Sequence, residues 1–341
     1  MPATHADESE TLALARAGDE EAFRLLVEPH RPKLHAHCYR MLGSLHDAED
    51  VLQDALLRAW RGLPGFDGRS AFGTWMYRIT TNACLDAIAK RPKRVLPVDY
   101  GPPASNGSEV GTRPAGVAWL EPYPDDAYAI EDPGPDARYE QRESIELAFV
   151  AALQHLAPRQ RAVLILREVL GFSAKEVAEV LGSTPASVNS ALQRARKAVQ
   201  ERIPARSQQA TVRSLGDERV REIVERFTDA FDRGDTGAIL SMLAEDATFS
   251  MPPYAGWVRG REAVGRSWLI PEGPSPRLRY LPTRANGQPA VAAYALAPDG
   301  TRYVPLALDV LTLRDDLIGD VTAFRSPELF EAFGLPPELA A

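Results

Sequence analysis

The sequence predicts a multidomain chain: two all-α helical segments joined by a Pro-rich linker, followed by an α+β domain. Three observations carry this expectation. At 341 residues the chain exceeds the usual size of one compact domain. Apolar residues recur at spacings of three and four from Thr11 to Ala89 and again from Arg142 to about Arg202, the period of amphipathic helices. Beyond residue 217 an amphipathic helix and a short helix give way to a run of strand-like segments, the order expected of a separate α+β domain.

Composition narrows the function. The hydrophobic fraction of 45% is ample for buried cores. A net charge of −8 argues against a protein that coats nucleic acid or anionic membrane indiscriminately, so any basic surface is local. No N-terminal stretch has the form of a signal peptide and no run of about 18 apolar residues is present, which places the chain in the cytoplasm without a membrane span. His30, His35, His37 and His46 lie close to Cys38, but neither they nor Cys84 have the paired spacing of a zinc site, so no metal and no cofactor is expected.

In the first segment, 11 to 96, Ala22, Leu25 and Leu26, then Val51, Leu52, Ala55, Leu56 and Ala59, mark helix faces. Residues 97 to 139 hold Pro97, Pro102, Pro103, Pro114, Pro122, Pro124, Pro133 and Pro135 among Gly, Asp and Ser; proline removes amide donors and resists helix, so this reads as an extended linker. The third segment, 140 to 206, contains SAKEVAEVLGSTPASVNSALQRARKAVQERI. Its first helix turns Val177, Ala178, Val180 and Leu181 inward and stops at Gly182. Thr184 has the place of an N-cap and Pro185 that of the first helical residue. Val188, Leu192, Ala195 and Val199 form one apolar stripe, leaving Ser187, Asn189, Ser190, Gln193, Arg194, Arg196 and Lys197 outside. This is a helix-turn-helix pattern whose second helix suits the major groove, although a helical hairpin with a solvated basic face has the same periodicity.

The stretch HCYRMLGSLHDAEDVLQDALLRAW, residues 37 to 60, followed by FDGRSAFGTWMYRITTNACLDAIAKRPKR, residues 66 to 94, resembles regions 2.1 to 2.4 of extracytoplasmic-function sigma factors. The helix-turn-helix, entered through Leu-x-Pro-Arg-Gln-Arg at Leu156 to Arg161, is similar to their region 4. The resemblance implies a region 2 helical bundle, a region 4 helix-turn-helix, and core RNA polymerase and promoter DNA as partners, with the beta-prime clamp and the beta flap as polymerase contacts. Asp47, Glu49, Asp50, Gln53 and Asp54 crowd the start of a helix, where negative charge favours the positive end of the dipole. By resemblance they are the polymerase-binding face; by themselves they serve equally as caps and solubilising charge.

Arg69, Trp75, Arg78, Asn82, Asp86, Lys90, Arg91, Lys93 and Arg94 match the surface with which the family melts and holds the minus-ten element. Clustered cations with nearby amides suit a separated strand, while Phe72 and Trp75 also suit a core, and Asp86 a structural pair with Arg78 or Lys90. For the minus-thirty-five element the candidates are Arg159, Thr184, Ser187, Asn189, Ser190, Gln193, Arg194, Arg196 and Lys197, the polar ones reading base edges and the cations holding phosphates. Asn189 and Ala191 stand where the family often carries basic residues.

Residues 217 to 341 resemble the SnoaL-like branch of NTF2-like folds, a cone of curved sheet around a pocket, and AWLEPYPDD at 118 to 126 looks like a linker element of sigma factors carrying such a domain. Met251, Tyr254, Trp257, Trp268 and Asp309 are the candidate pocket residues for a small molecule, with a filled apolar core as the alternative. No His or Cys follows His155, so acid–base chemistry here would fall to Asp309 or Asp320; catalysis is not expected. The expected role is intramolecular control of a monomer.

Overall fold

The computed structural model describes residues 5–104, 113–125, 142–269 and 277–341. Their contacts group them into two units: residues 5–93 with 149–203, and residues 94–104, 113–125 and 142–148 with 204–341.

In the first unit, α1 (His5–Arg16) and α2 (Glu20–Val27) precede α3 (Arg31–Leu42), α4 (Leu45–Gly62) and α5 (Phe72–Ile88). α3 is central: every residue from Leu34 to Leu42 is buried, so the helix is enclosed on all sides by its neighbours, α4 and α5 among them. Its polar residues are accommodated. His37 Nε2 lies 2.9 Å from Thr81 Oγ1, and burial pushes the imidazole down to about 3, keeping it neutral. Cys38 and Cys84 are buried free thiols. Ser44 caps α4, its Oγ accepting from the Asp47 amide at 3.0 Å.

The second half of this unit holds α7 (Leu147–Gln154) from residue 149 onward, α8 (Pro158–Leu164) continued by a π-turn (Ile165–Val169), α9 (Ala174–Leu181) and α10 (Pro185–Gln200). α8 packs on α3 and α5, and α9 on α5. The joint is polar. Arg161 is buried, and its guanidinium donates to the Met41 carbonyl at the end of α3, to Gln154 Oε1 at 2.6 Å and to the Gln154 carbonyl at 3.1 Å. Gly43, at φ +70°, ends α3 where a Cβ would lie 3.1 Å from the Gln154 carboxamide, so glycine serves both the turn and the close approach.

Local signals set the helix-turn-helix. Ser173 and Glu176 make reciprocal capping bonds at α9, and Gly182 closes it at φ +57°. Thr184 Oγ1 accepts from the Ser187 amide at 3.2 Å and Pro185 is the first residue of α10. Thr184→Ala is expected to cost about 1 kcal/mol of local stability, read as roughly five-fold faster amide exchange in the first turn of α10; unchanged exchange would contradict the cap.

The second unit contains a seven-stranded sheet in the order β4–β3–β8–β7–β6–β5, where β3 is Leu243–Ser250, β4 Trp257–Arg259, β5 Leu278–Ala285, β6 Gln288–Leu296, β7 Arg302–Arg314 and β8 Leu317–Phe324; β9 (Leu339–Ala340) pairs with β7. β3 and β8 are parallel and the other pairs antiparallel. α11 (Gln208–Leu215) leads into α12 (Asp217–Asp232), which packs on β5 and β6 with Phe227 and Phe231 against Tyr280; α13 (Thr236–Met242) and the short α14 (Arg261–Val264) flank β3. Asn286 and Gly287, both at positive φ, form the two-residue turn between β5 and β6.

The linker differs from the extended tether that its prolines suggest. β1 (Arg94–Val95) pairs in parallel with β2 (Ala118–Trp119), α6 (Pro97–Tyr100) lies between them in sequence, and Tyr123 is wholly buried. Proline removes donors only at its own nitrogens; the intervening Leu120 and Tyr123 amides still bond, to the Val95 carbonyl and to Asn286 Oδ1.

Candidate functional site

Three surfaces carry the residues singled out in the sequence. On α4, Asp47 is ion-paired with Arg91, Glu49 with Arg31 at 3.1 Å, and Asp54 with Arg58 at 2.7 Å, while His35 Nε2 lies 3.5 Å from the Glu49 carboxylate. Gln53 Nε2 donates to Glu49 Oε1 at 3.2 Å, and Asp50 is exposed. Asp50, Gln53, Asp54 and Leu57 stand at helical spacings on the solvent side, and Leu57 is 55% exposed. Leu57 escapes sequence reasoning; its signal is an apolar residue out of phase with the buried Val51, Leu52, Ala55 and Ala59.

Along α5, Arg78, Asn82 and Asp86 are exposed one turn apart, and Lys90, Arg91 and Lys93 are exposed beyond its end. Asp86 pairs with Arg58 at 2.8 Å, not with Arg78 or Lys90. Trp75 is half-buried between Phe66 and Phe72, at 5.1 and 5.7 Å between ring centroids, so much of its ring serves packing. Arg69 pairs with Asp67 at 2.5 Å, and Lys93 Nζ is 2.8 Å from His155 Nδ1. Arg94 belongs to the second unit, donating to the Trp119 carbonyl at 2.5 Å and to Glu121 at 3.2 Å. Exposed ion pairs contribute about 0–1 kcal/mol, so exchanging such a carboxylate for a phosphate costs little.

On α10, Ser187, Asn189, Ser190, Gln193, Arg194, Arg196 and Lys197 are all exposed while Val188, Leu192, Ala195 and Val199 are buried, as the stripe requires. Arg196 pairs with Glu168 at 2.6 Å. Thr184 and Arg159 are exposed, Thr184 at the cap and Arg159 at the start of α8.

The candidate pocket residues fall into separate settings. Trp257 is buried, its indole N–H donating to the Gly101 carbonyl of the linker at 2.8 Å with Arg259 over the ring. Met251 packs at the edge of the apolar core, and Tyr254 lies under Arg325 at 6.0 Å. The side chain of Trp268 lies outside the described residues. Asp309 is 2% exposed, in register with the core residues Val291 and Ala323, and its Oδ1 has no hydrogen-bond partner among the described residues. Burial pushes its carboxyl up to about 7, against a smaller opposing pull from Arg325. Asp320 instead accepts from Thr248 and Thr322, a structural strand carboxylate.

A fourth cluster, unforeseen from sequence, surrounds the Asn286–Gly287 turn. Asn286 Oδ1 accepts from the Tyr123 amide at 2.9 Å, its amide donates to the Tyr123 carbonyl at 2.8 Å, and its Nδ2 donates to the Ile145 carbonyl at 2.7 Å. Gln288 Oε1 accepts from the Leu147 amide at 3.0 Å, and Asp125 receives the Gly287 amide at 2.7 Å and Arg284 at 3.0 Å. Glu146 is buried beside them, accepting from the Gln209 amide at 2.7 Å; burial pushes its carboxyl up to about 7.

Comparison with known proteins matches three segments of the chain to known families. Residues 26–94 match sigma-70 region 2, residues 146–199 sigma-70 region 4, and residues 224–321 the SnoaL-like domain. A helical bundle and a helix-turn-helix with those two signatures define a sigma-70-class transcription factor, here with an NTF2-like α+β domain appended. Over 327 residues the chain is 42% identical to the ECF RNA polymerase sigma factor SigG of Mycobacterium tuberculosis (strain ATCC 25618 / H37Rv), covering 95% of this chain and 86% of that one. It therefore belongs to the extracytoplasmic-function RNA polymerase sigma factors. ECF sigma factor SigW of Bacillus subtilis (strain 168) is 30% identical over 191 residues, 55% of this chain and 92% of its own length. The crystal structure of the M. tuberculosis extracytoplasmic function sigma factor SigJ shares the fold, with a TM-score of 0.56 at 23% identity over 90% of this chain and 97% of that one. No helix among the described residues is long and apolar enough to cross a membrane.

Proposed function

We propose that this sigma factor works in the cytoplasm as a single copy, binding core RNA polymerase through α4 and reading a promoter at two places. Asp50, Gln53 and Asp54, with the exposed Leu57 one turn beyond them, dock on the polymerase beta-prime clamp; an apolar side chain beside an acidic and amide face suits a basic partner helix. Region 4 also meets the beta flap. Arg78 and Asn82, with Lys90, Arg91 and Lys93, hold the separated minus-ten strand. Asn189, Ser190 and Gln193 read the minus-thirty-five element while Arg159, Arg194, Arg196 and Lys197 hold phosphates, Thr184 and Ser187 fixing the entry of the helix.

The observation that carries this reading is the exposed polar face of α10, whose opposite face is wholly buried. Asn189→Ala is expected to cost about 1–3 kcal/mol of discrimination at one base pair, seen as relaxed sequence preference in promoter selection with reconstituted holoenzyme; an unchanged preference would remove Asn189 from base reading. The SnoaL-like domain acts as a regulator, not a catalyst. A second reading, in which it receives a small molecule, is supported by the unpartnered Oδ1 of Asp309 in its interior; turnover of any substrate by that domain would overturn the regulatory one.

A further inference from the structure

Where β4 gives way to α14, beside the start of β3, the C-terminal domain holds a cleft that none of the roles above uses. It measures about 530 Å³, inside the range of about 300–1,000 Å³ typical of small-molecule sites. Three arginines line it: Arg259 at the end of β4, Arg261 at the start of α14, and Arg266 five residues further on. A glycine sets the convergence. Gly260 joins β4 to α14 at φ +98°, a conformation that a residue with a Cβ resists, and its amide donates to the Ala247 carbonyl at 2.8 Å. The turn so fixed brings the residues on either side of it, Arg259 and Arg261, to one concave surface.

These guanidinium groups are positioned but not neutralised. Arg261 is half-buried, and its Nε donates to the Leu243 carbonyl at 2.9 Å, which fixes the plane of the group; nothing among the described residues hydrogen-bonds to its two terminal nitrogens. Arg259 lies over the Trp257 ring at 5.3 Å, a contact that leaves its charge in place, and it has no ion pair among the described residues. Arg266 is 70% exposed and approaches Glu262 only to 3.7 Å, beyond hydrogen-bond distance. Glu245 also lines the cleft, yet it pairs with none of the three among the described residues. Elsewhere in the same unit surface arginines do take a carboxylate: Arg219 reaches Glu222 at 2.6 Å and Arg314 pairs with Asp246. Like charges gathered in one concavity repel one another, and an anion placed between them reverses the sign of that interaction.

We propose that this cleft binds a small molecule through a phosphate group held by Arg259, Arg261 and Arg266. A phosphate monoester offers three tetrahedrally arranged anionic oxygens, enough to engage all three guanidinium groups, whereas a carboxylate offers two oxygens in one plane and matches a single guanidinium fork. The two carboxylates in the lining, Glu245 and Glu262, leave the three cations an excess of only one charge. That balance suits one phosphate and disfavours the run of phosphates in a nucleic-acid backbone. The site does not include the interior Asp309 and requires nothing of the promoter-reading surfaces.

Calorimetric titration of the full-length protein with phenyl phosphate tests this, with benzoate as the probe that carries the same ring on a carboxylate. Arg259→Gln and Arg266→Gln each remove one exposed guanidinium that holds no hydrogen bond among the described residues, so the fold is left intact. Arg226→Gln, on the exposed face of α12 and outside the cleft, controls for general loss of positive charge. One saturable site per chain is expected, with affinity for phenyl phosphate roughly ten-fold lower in R259Q and in R266Q and unchanged in R226Q. Glu245→Gln, which removes a like charge from the lining, is expected to tighten binding several-fold, a gain that no unfolding produces. Benzoate is expected to bind roughly ten-fold more weakly than phenyl phosphate. Absence of saturable binding, equal losses in R226Q and R259Q, or benzoate bound as tightly as phenyl phosphate overturns the proposal. Displacement of phenyl phosphate by a short DNA duplex also overturns it, by placing a nucleic-acid backbone in the cleft instead.

Discussion

Replacing Asp309 by asparagine will stabilise the second unit by about 2–4 kcal/mol at pH 8 and have almost no effect below pH 4. Burial places the native carboxyl at about 7, against 3.8 for the unfolded chain. Below pH 4 both states are protonated and the side chain makes no difference. Between pH 4 and 7 the unfolded chain ionises while the native acid holds its proton, so stability falls as pH rises. Above 7 the native state carries a buried anion, and the full penalty, about 4 kcal/mol for a shift of this size, is present. An amide of the same shape carries no charge to desolvate, so the substitution removes the pH-dependent part. Denaturation followed by a C-terminal probe from pH 4 to 9 measures it. A gain that grows with pH is expected; a loss of stability at pH 8, or an effect independent of pH, would contradict the placement of Asp309.

Arg161→Ala is expected to loosen both halves of the first unit together. The guanidinium is 4% exposed, and burial lowers it to about 10, still charged at neutral pH. It satisfies the Met41 carbonyl at the end of α3 and the carbonyl and side chain of Gln154, and truncation strands those acceptors where water is scarce. Charge-assisted bonds of this kind and the stranded partners together amount to about 3–5 kcal/mol. The measurable consequence is a hundred-fold or greater acceleration of amide exchange at Gly43, in region 2, as well as in α8, where the substitution lies. Faster exchange confined to α8 would show that Arg161 serves region 4 alone.

The comparison of these residues with the sequence shows what kind of information is local. The caps Ser173 and Thr184, the stop at Gly182 and the stripe from Val188 to Val199 each act within a turn or two, and all are legible from spacing. β5 to β8 alternate or run apolar and are bounded by turn residues such as Asn286 and Gly287, so they too are legible. The partners of Arg161 and Asn286 are not. Arg161 sits in a basic entry motif that looks solvent-facing, yet its bonds end at Met41, and Asn286 marks a hairpin without announcing that its side chain binds Tyr123 and Ile145. Tertiary main-chain acceptors carry no side-chain signature, and nothing in the spacing of prolines tells a docked linker from a free one. Ion pairs behave alike: Asp47 with Arg91, and Asp54 with Asp86 through the Arg58 that both share, join residues assigned to different surfaces.

The central claim, that regions 2 and 4 bring polymerase to a promoter as one factor, is tested most directly by run-off transcription with purified bacterial core polymerase and this chain. Promoter-specific transcripts are expected from the combination and from neither component alone, with initiation abolished when Lys90, Arg91 and Lys93 and, on α10, Arg194, Arg196 and Lys197 are neutralised together. No association with core polymerase, or initiation indifferent to removing those charges, would contradict it.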